Sequence, residues 1–99
     1  MSHANRVDRN QGEIVTALRN AKCRVFVSSN VGSGFPDLTI WSPYLRSILL
    51  FEIKDGAKPP SKQALTDAQV VFHNLFADTD VYVVNSVEIA LQLAGVPDR

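Results

Sequence analysis

The stretch Ile48-Leu49-Leu50-Phe51-Glu52-Ile53-Lys54 is the strongest strand signal in the chain, an apolar run that ends in a charged pair. Side chains alternate along a strand, so Ile48, Leu50, Glu52 and Lys54 share one side and Leu49, Phe51 and Ile53 the other. The odd side is wholly apolar and predicts a core face. The even side is apolar for two positions and charged for two, which predicts a helix over the start of the strand and a cleft at its end. A carboxylate and an ammonium then stand ~7 Å apart along the strand. Taken alone, such a pair is no more than the solvated end of a strand, where ion pairs contribute little.

Upstream, Ile14, Val15 and Leu18 recur at helical spacing between about Asp8 and Asn20, with Arg9, Glu13 and Arg19 on the polar side. Cys23 to Val27 reads as a strand, Ser28 to Gly34 as a Ser/Asn/Gly loop, and Leu38 to Trp41 as a second strand closed by the turn Ser42-Pro43-Tyr44. Downstream, Lys58-Pro59-Pro60-Ser61-Lys62 is a loop. Thr66-Asp67-Ala68-Gln69 has capping-box spacing, and Ala68, Val71, Phe72 and Leu75 carry the helix it opens. Val81 to Val84 is a fourth strand, and Ser86 caps a last helix through Leu93, stopped by Gly95 and Pro97. The order α-β-β-β-α-β-α predicts an antiparallel three-stranded meander with the fourth strand returning in parallel, a mixed sheet flanked by helices.

Ninety-nine residues, 45% apolar and 20% charged, describe one soluble globular domain spanning 1–99. The single cysteine, Cys23, sits in an apolar stretch and reads as a small buried residue of a protein in a reducing, intracellular setting. The chain's start lacks the apolar core of a signal peptide, and no apolar run is long enough to span a membrane. Net charge is zero, which by itself gives a nucleic-acid partner no support. The zero conceals an asymmetry: through Lys62 there are nine basic and five acidic residues, a surplus of +4, and the remainder carries −4.

Asp37 follows Pro36 at the start of the second strand, where a hairpin brings it beside Glu52. Two adjacent carboxylates repel unless a cation joins them. A hard divalent ion such as Mg²⁺ takes oxygen ligands, keeps several waters and accepts one or two protein carboxylates, with substrate phosphate completing its shell. Asp37 and Glu52 meet that demand, the Ile53 backbone carbonyl adds an oxygen, and Lys54 can orient an attacking water and stabilise charge on a scissile phosphate.

Pro36-Asp37 followed by Glu52-Ile53-Lys54, in this order of elements, resembles the PD-(D/E)xK nuclease superfamily with its restriction-endonuclease-like fold. Gly32-Ser33-Gly34-Phe35-Pro36-Asp37-Leu38, Phe51-Glu52-Ile53-Lys54 and Gln69 on the following helix are similar to the compact VRR-NUC branch and its stand-alone viral members. The resemblance covers roughly Glu13 to Val84. It implies a Mg²⁺- or Mn²⁺-dependent endonuclease acting on DNA, in the cytoplasm or on the nucleoid of a bacterial host. Asp37, Glu52 and Lys54 would form its centre, and Glu13 matches the family's acidic position on the first helix, for a second metal or a water network. A solvent-facing helical glutamate explains Glu13 equally well.

Gln69 matches the family's glutamine and can hold a metal-bound water or a phosphate, although it also occupies the N3 place of the capping box. His73, one turn further, is left out of the catalytic set. Arg6, Arg9, Lys58 and Lys62 are candidate phosphate contacts, and Gly34 offers either close backbone approach to a phosphate or a tight turn. Trp41 and Tyr44 can stack on a base or serve as core and turn residues. One small domain without an appended recognition module favours DNA shape over sequence, and the resemblance implies a homodimer resolving four-way junctions. Flap or nicking endonucleases, and a non-catalytic nucleic-acid-binding module on the same fold, are the alternatives.

Overall fold

The computed structural model describes residues 9–98. Its elements are α1 (Gln11–Asn20), β1 (Arg24–Val27), β2 (Leu38–Ser42), β3 (Ser47–Ile53), α2 (Asp67–Leu75), β4 (Val81–Val84) and α3 (Val87–Leu93), with a 3-10 turn at Pro60–Lys62. This is the expected mixed α/β arrangement, an α-β-β-β-α-β core with a C-terminal helix. The expected helix start at Asp8 lies outside the described residues. The strands lie in the order β1-β2-β3-β4, with β1/β2 and β2/β3 antiparallel and β3/β4 parallel. Ser42 shapes the hairpin turn between β2 and β3, its hydroxyl accepting from the N–H groups of Tyr44 and Leu45, each at 3.2 Å. Tyr44 serves that turn as well, its hydroxyl donating to the Ala21 carbonyl at 2.7 Å.

The odd side of β3 is the core face, as alternation demands. Leu49, Phe51 and Ile53 pack with Leu38 and Ile40 of β2 and Val84 of β4, beneath Ile14, Val15 and Leu18 of α1 and Ala90 of α3. Burying each such large side chain contributes about 1.5–3 kcal/mol against leaving it in water. Cys23 is buried among them, and burial pushes its thiol above the ordinary value.

The even side overturns one expectation. A helix was expected over the start of β3 and a cleft at its end, yet Ile48 is 57% exposed while Glu52 is 2% and Lys54 9% exposed. The cause is the crossover: a parallel β4 requires the chain to return over the sheet from the end of β3, and the return lays the first turn of α2 on the charged end. Burial of the two charges is tolerated because Gln69 hydrogen-bonds both.

The N-terminus of α2 is built as expected. The Thr66 hydroxyl accepts the Gln69 N–H at 3.3 Å and the Gln69 side-chain oxygen accepts the Thr66 N–H at 2.9 Å, a complete capping box. No residue of α2 is fully buried, and an edge-on contact between Phe35 and Phe72, centroids 5.3 Å apart, ties it to the loop that precedes β2. Among the described residues no helix is long and apolar enough to cross a membrane.

Candidate active site

Three elements deliver one polar cluster. The β2/β3 register pairs Leu38 with Phe51, so one step further Asp37 stands opposite Glu52 and on the same face of the sheet. Asp37 closes the end of the ladder with its side chain: Oδ2 accepts the Ile53 N–H at 2.8 Å. The N–H and C=O of a strand residue point the same way, so the Ile53 carbonyl faces the Asp37 side as well.

Gln69 joins the two charges of β3. Its Nε2 donates to Glu52 Oε2 at 2.9 Å, and its Oε1 accepts from Lys54 Nζ at 3.0 Å, while Lys54 Nζ and Glu52 Oε2 are 3.9 Å apart. The two sequence readings of Gln69, cap and site residue, are therefore both fulfilled, because an amide oxygen has two lone pairs and one goes to Thr66 and one to Lys54. The pair is no solvated strand end. Lys54 is held with its ammonium fixed beside a carboxylate, in a setting where charge interactions are stronger than at a surface.

The donors fit a hard cation. Two carboxylates and a backbone carbonyl are oxygen ligands in the number Mg²⁺ takes from protein, and the ladder bond to the Ile53 N–H occupies Oδ2 of Asp37. Glu13 is not brought to them. It lies on the exposed side of α1, in a separate cleft of about 670 Å³ lined also by Arg9, Asn10, Asp55, Asn85 and Glu88. Among the described residues no three Asp, Glu, His or Cys side chains gather into a metal-sized group.

Of the predicted DNA contacts, Arg6 lies outside the described residues. Arg9 points its guanidinium at Asp55, 3.5 Å away, and Lys58 and Lys62 are exposed in the loop after β3. Gly34 has φ +80°, and a Cβ there would drive into the Ala68 carbonyl, so its smallness serves the seating of α2. Trp41 is half-buried on the outer face of the sheet.

Several residues that sequence reasoning passed over help to shape the site. Asn10 donates through Nδ2 to the carbonyls of Lys54 at 3.0 Å and Asn85 at 3.2 Å, tying the start of α1 to the end of β3. Asp55, 4% exposed, accepts from the Ala57 N–H at 2.9 Å and turns the chain after Lys54. Strand alternation carried one residue past Lys54 places Asp55 on the core side and was the available signal. Gln11, 5% exposed, occupies the apolar stripe of α1 with Ile14, Val15 and Leu18 at i, i+3, i+4 and i+7. His73 lies close enough to Lys54 that burial first, and the Lys54 charge second, lower its pKa from the ordinary histidine value.

No protein-family model, curated protein or solved structure matches the chain.

Proposed function

We propose that the chain is a divalent-metal-dependent endonuclease that hydrolyses DNA phosphodiester bonds at the Asp37, Glu52 and Lys54 cluster, as the VRR-NUC resemblance implies. One observation carries this reading: a buried lysine and a buried glutamate, locked together by Gln69, stand beside a second carboxylate placed by strand register. Charged groups are buried at such cost that their assembly at one sheet end points to chemistry rather than to stability.

Asp37, Glu52 and the Ile53 carbonyl would hold Mg²⁺ or Mn²⁺, which supplies a water of lowered pKa and polarises the phosphate. The chain's own work is to position. Water attacks phosphorus, one P–O ester bond breaks, and the attacking water yields its proton as the leaving oxygen gains one. Lys54, held 3.9 Å from Glu52, presents its ammonium to the charge that grows on the phosphate oxygens. Gln69 fixes that ammonium, so little reorganisation accompanies the reaction.

Branched DNA and a homodimer complete the reading. Phe26, Ile48 and Val83, exposed by 68%, 57% and 43%, lie on the same outer sheet face beside the site, an apolar area suited to a second copy. Paired sites in two-fold symmetry would nick a four-way junction on opposed strands.

Matched linear duplex, flap and four-way junction are to be incubated with the protein, with and without Mg²⁺, beside the Asp37→Asn variant. Metal-dependent cutting of the junction by wild type alone is the expected result. A flap preference in a monomeric protein would remove the resolvase while keeping the nuclease. Folded protein that binds DNA, binds no Mn²⁺ and cuts nothing would leave a nucleic-acid-binding module.

A further inference from the structure

The polar groups of α1 do not face the same way. Residues two apart on a helix are separated by about 200°, so Gln11 and Glu13 point to nearly opposite sides. Glu13 is on the exposed side and Gln11 on the buried one, 5% exposed. A glutamine so deeply buried ordinarily has both ends of its amide satisfied. Gln11 has one: Nε2 donates to Ser29 Oγ at 3.2 Å, and Oε1 has no hydrogen-bond partner among the described residues.

The residues next to Gln11 in the chain and next to its partner Ser29 are tied to both strands of the site. Asn10, the preceding residue, is bonded to the Lys54 carbonyl. Ser29, which holds the Gln11 amide, follows Ser28, whose N–H donates to the Asp37 carbonyl at 2.7 Å and whose hydroxyl donates to the Pro36 carbonyl at 2.9 Å. The side chain of Gln11 itself holds Ser29, beside the residue that bonds the Asp37 and Pro36 carbonyls, and its chain neighbour Asn10 holds the end of β3 at Lys54. Its position on an otherwise apolar stripe has no packing rationale, since Ile14, Val15 and Leu18 already bury that face.

We infer that Gln11, and not Glu13, is the contribution of α1 to the divalent-cation site, its Oε1 accepting a hydrogen bond from the cation's water shell. The inference rests on the nuclease reading. A cation that keeps several waters needs acceptors around them, and a neutral amide oxygen accepts without adding charge to a site already holding two carboxylates. Turned by half a rotation, the same amide would offer N–H groups, which suit a phosphate oxygen rather than a metal-bound water.

The test is Mn²⁺ binding by titration calorimetry without DNA, on wild type, Gln11→Leu and Gln11→Glu, with folding checked by circular dichroism. Gln11→Leu should weaken Mn²⁺ by about tenfold, the usual effect of removing a group that orients metal-bound ligands. Gln11→Glu should melt lower than wild type in chelator, because a buried carboxylate lacks a counter-charge there, and should show a larger rise in melting temperature when Mn²⁺ is added. Folded variants that bind Mn²⁺ as wild type does would overturn this role for Gln11 and leave the nuclease reading standing. If instead Mn²⁺ affinity holds and DNA affinity falls in both variants, Gln11 is a phosphate contact and the inference is wrong. Wild type that binds no Mn²⁺ would overturn the metal site and Gln11's part in it together.

Discussion

Asp37→Asn should leave the metal-free protein as stable as wild type or more so, and should reverse that order once metal is added. Asp37 immediately precedes β2, and the β2/β3 register continued one step sets it opposite Glu52, a placement in which Cβ atoms are about 5 Å apart. At an effective dielectric near 20, two carboxylates at that separation repel by about 3 kcal/mol. Lys54, 3.9 Å from Glu52, offsets part of this, leaving about 1–2 kcal/mol for the substitution to relieve. Against it, the 2.8 Å bond from the Ile53 N–H changes from a charged acceptor to a neutral one, a loss of about 1 kcal/mol. The balance is zero to about +1 kcal/mol, a melting temperature unchanged or raised by up to about 8 °C in a domain of this size. Wild type with Mn²⁺ at 100 times its Kd gains about 2.7 kcal/mol, and the variant, short of a ligand, should gain much less. Urea melts followed by circular dichroism, in chelator and in Mn²⁺, read both halves. A variant less stable than wild type by more than about 2 kcal/mol in chelator, or one with the full wild-type response to Mn²⁺, would refute the reasoning.

Lys54→Ala should lower turnover on a four-way junction by about 10²-fold while DNA affinity changes little, and a loss confined to affinity would recast Lys54 as a phosphate contact. Gly34→Ala should cost at least about 2 kcal/mol, since alanine at φ +80° is strained and its methyl meets the Ala68 carbonyl; a wild-type urea midpoint would contradict that seating of α2. For His73 the folded pKa is lowered, so the unfolded chain takes the proton first, and the stability concerned is present above about pH 6.5 and lost as pH falls toward the folded value. His73→Gln should therefore flatten the stability profile between about pH 7 and 5, and parallel profiles would show that His73 has no part in it.

Periodicity and punctuation made most of the fold legible. The alternation from Ile48 to Ile53 marks the core face of β3, the Thr66-x-x-Gln69 spacing marks the start of α2 to the residue, and Ser86 with Gly95 brackets α3. The opposition of Asp37 and Glu52 was legible too, because a short hairpin leaves little freedom of register and register decides which side chains meet. These are local properties, set by neighbours a few residues apart.

What covers a face is not local. Whether Glu52 and Lys54 end in water or under a helix depends on where the crossover lays α2, and the strand's own pattern is the same in either case. The sequence by itself determined the elements, their pairing and the presence of two carboxylates and a lysine at one sheet end. Tertiary structure alone decided that Gln69 bridges the charges, that Asn10 ties α1 to β3, and that Gln11 turns inward while Glu13 turns out. The physical reason is that a helix's period tells which residues share a side, and only its packing tells what that side meets.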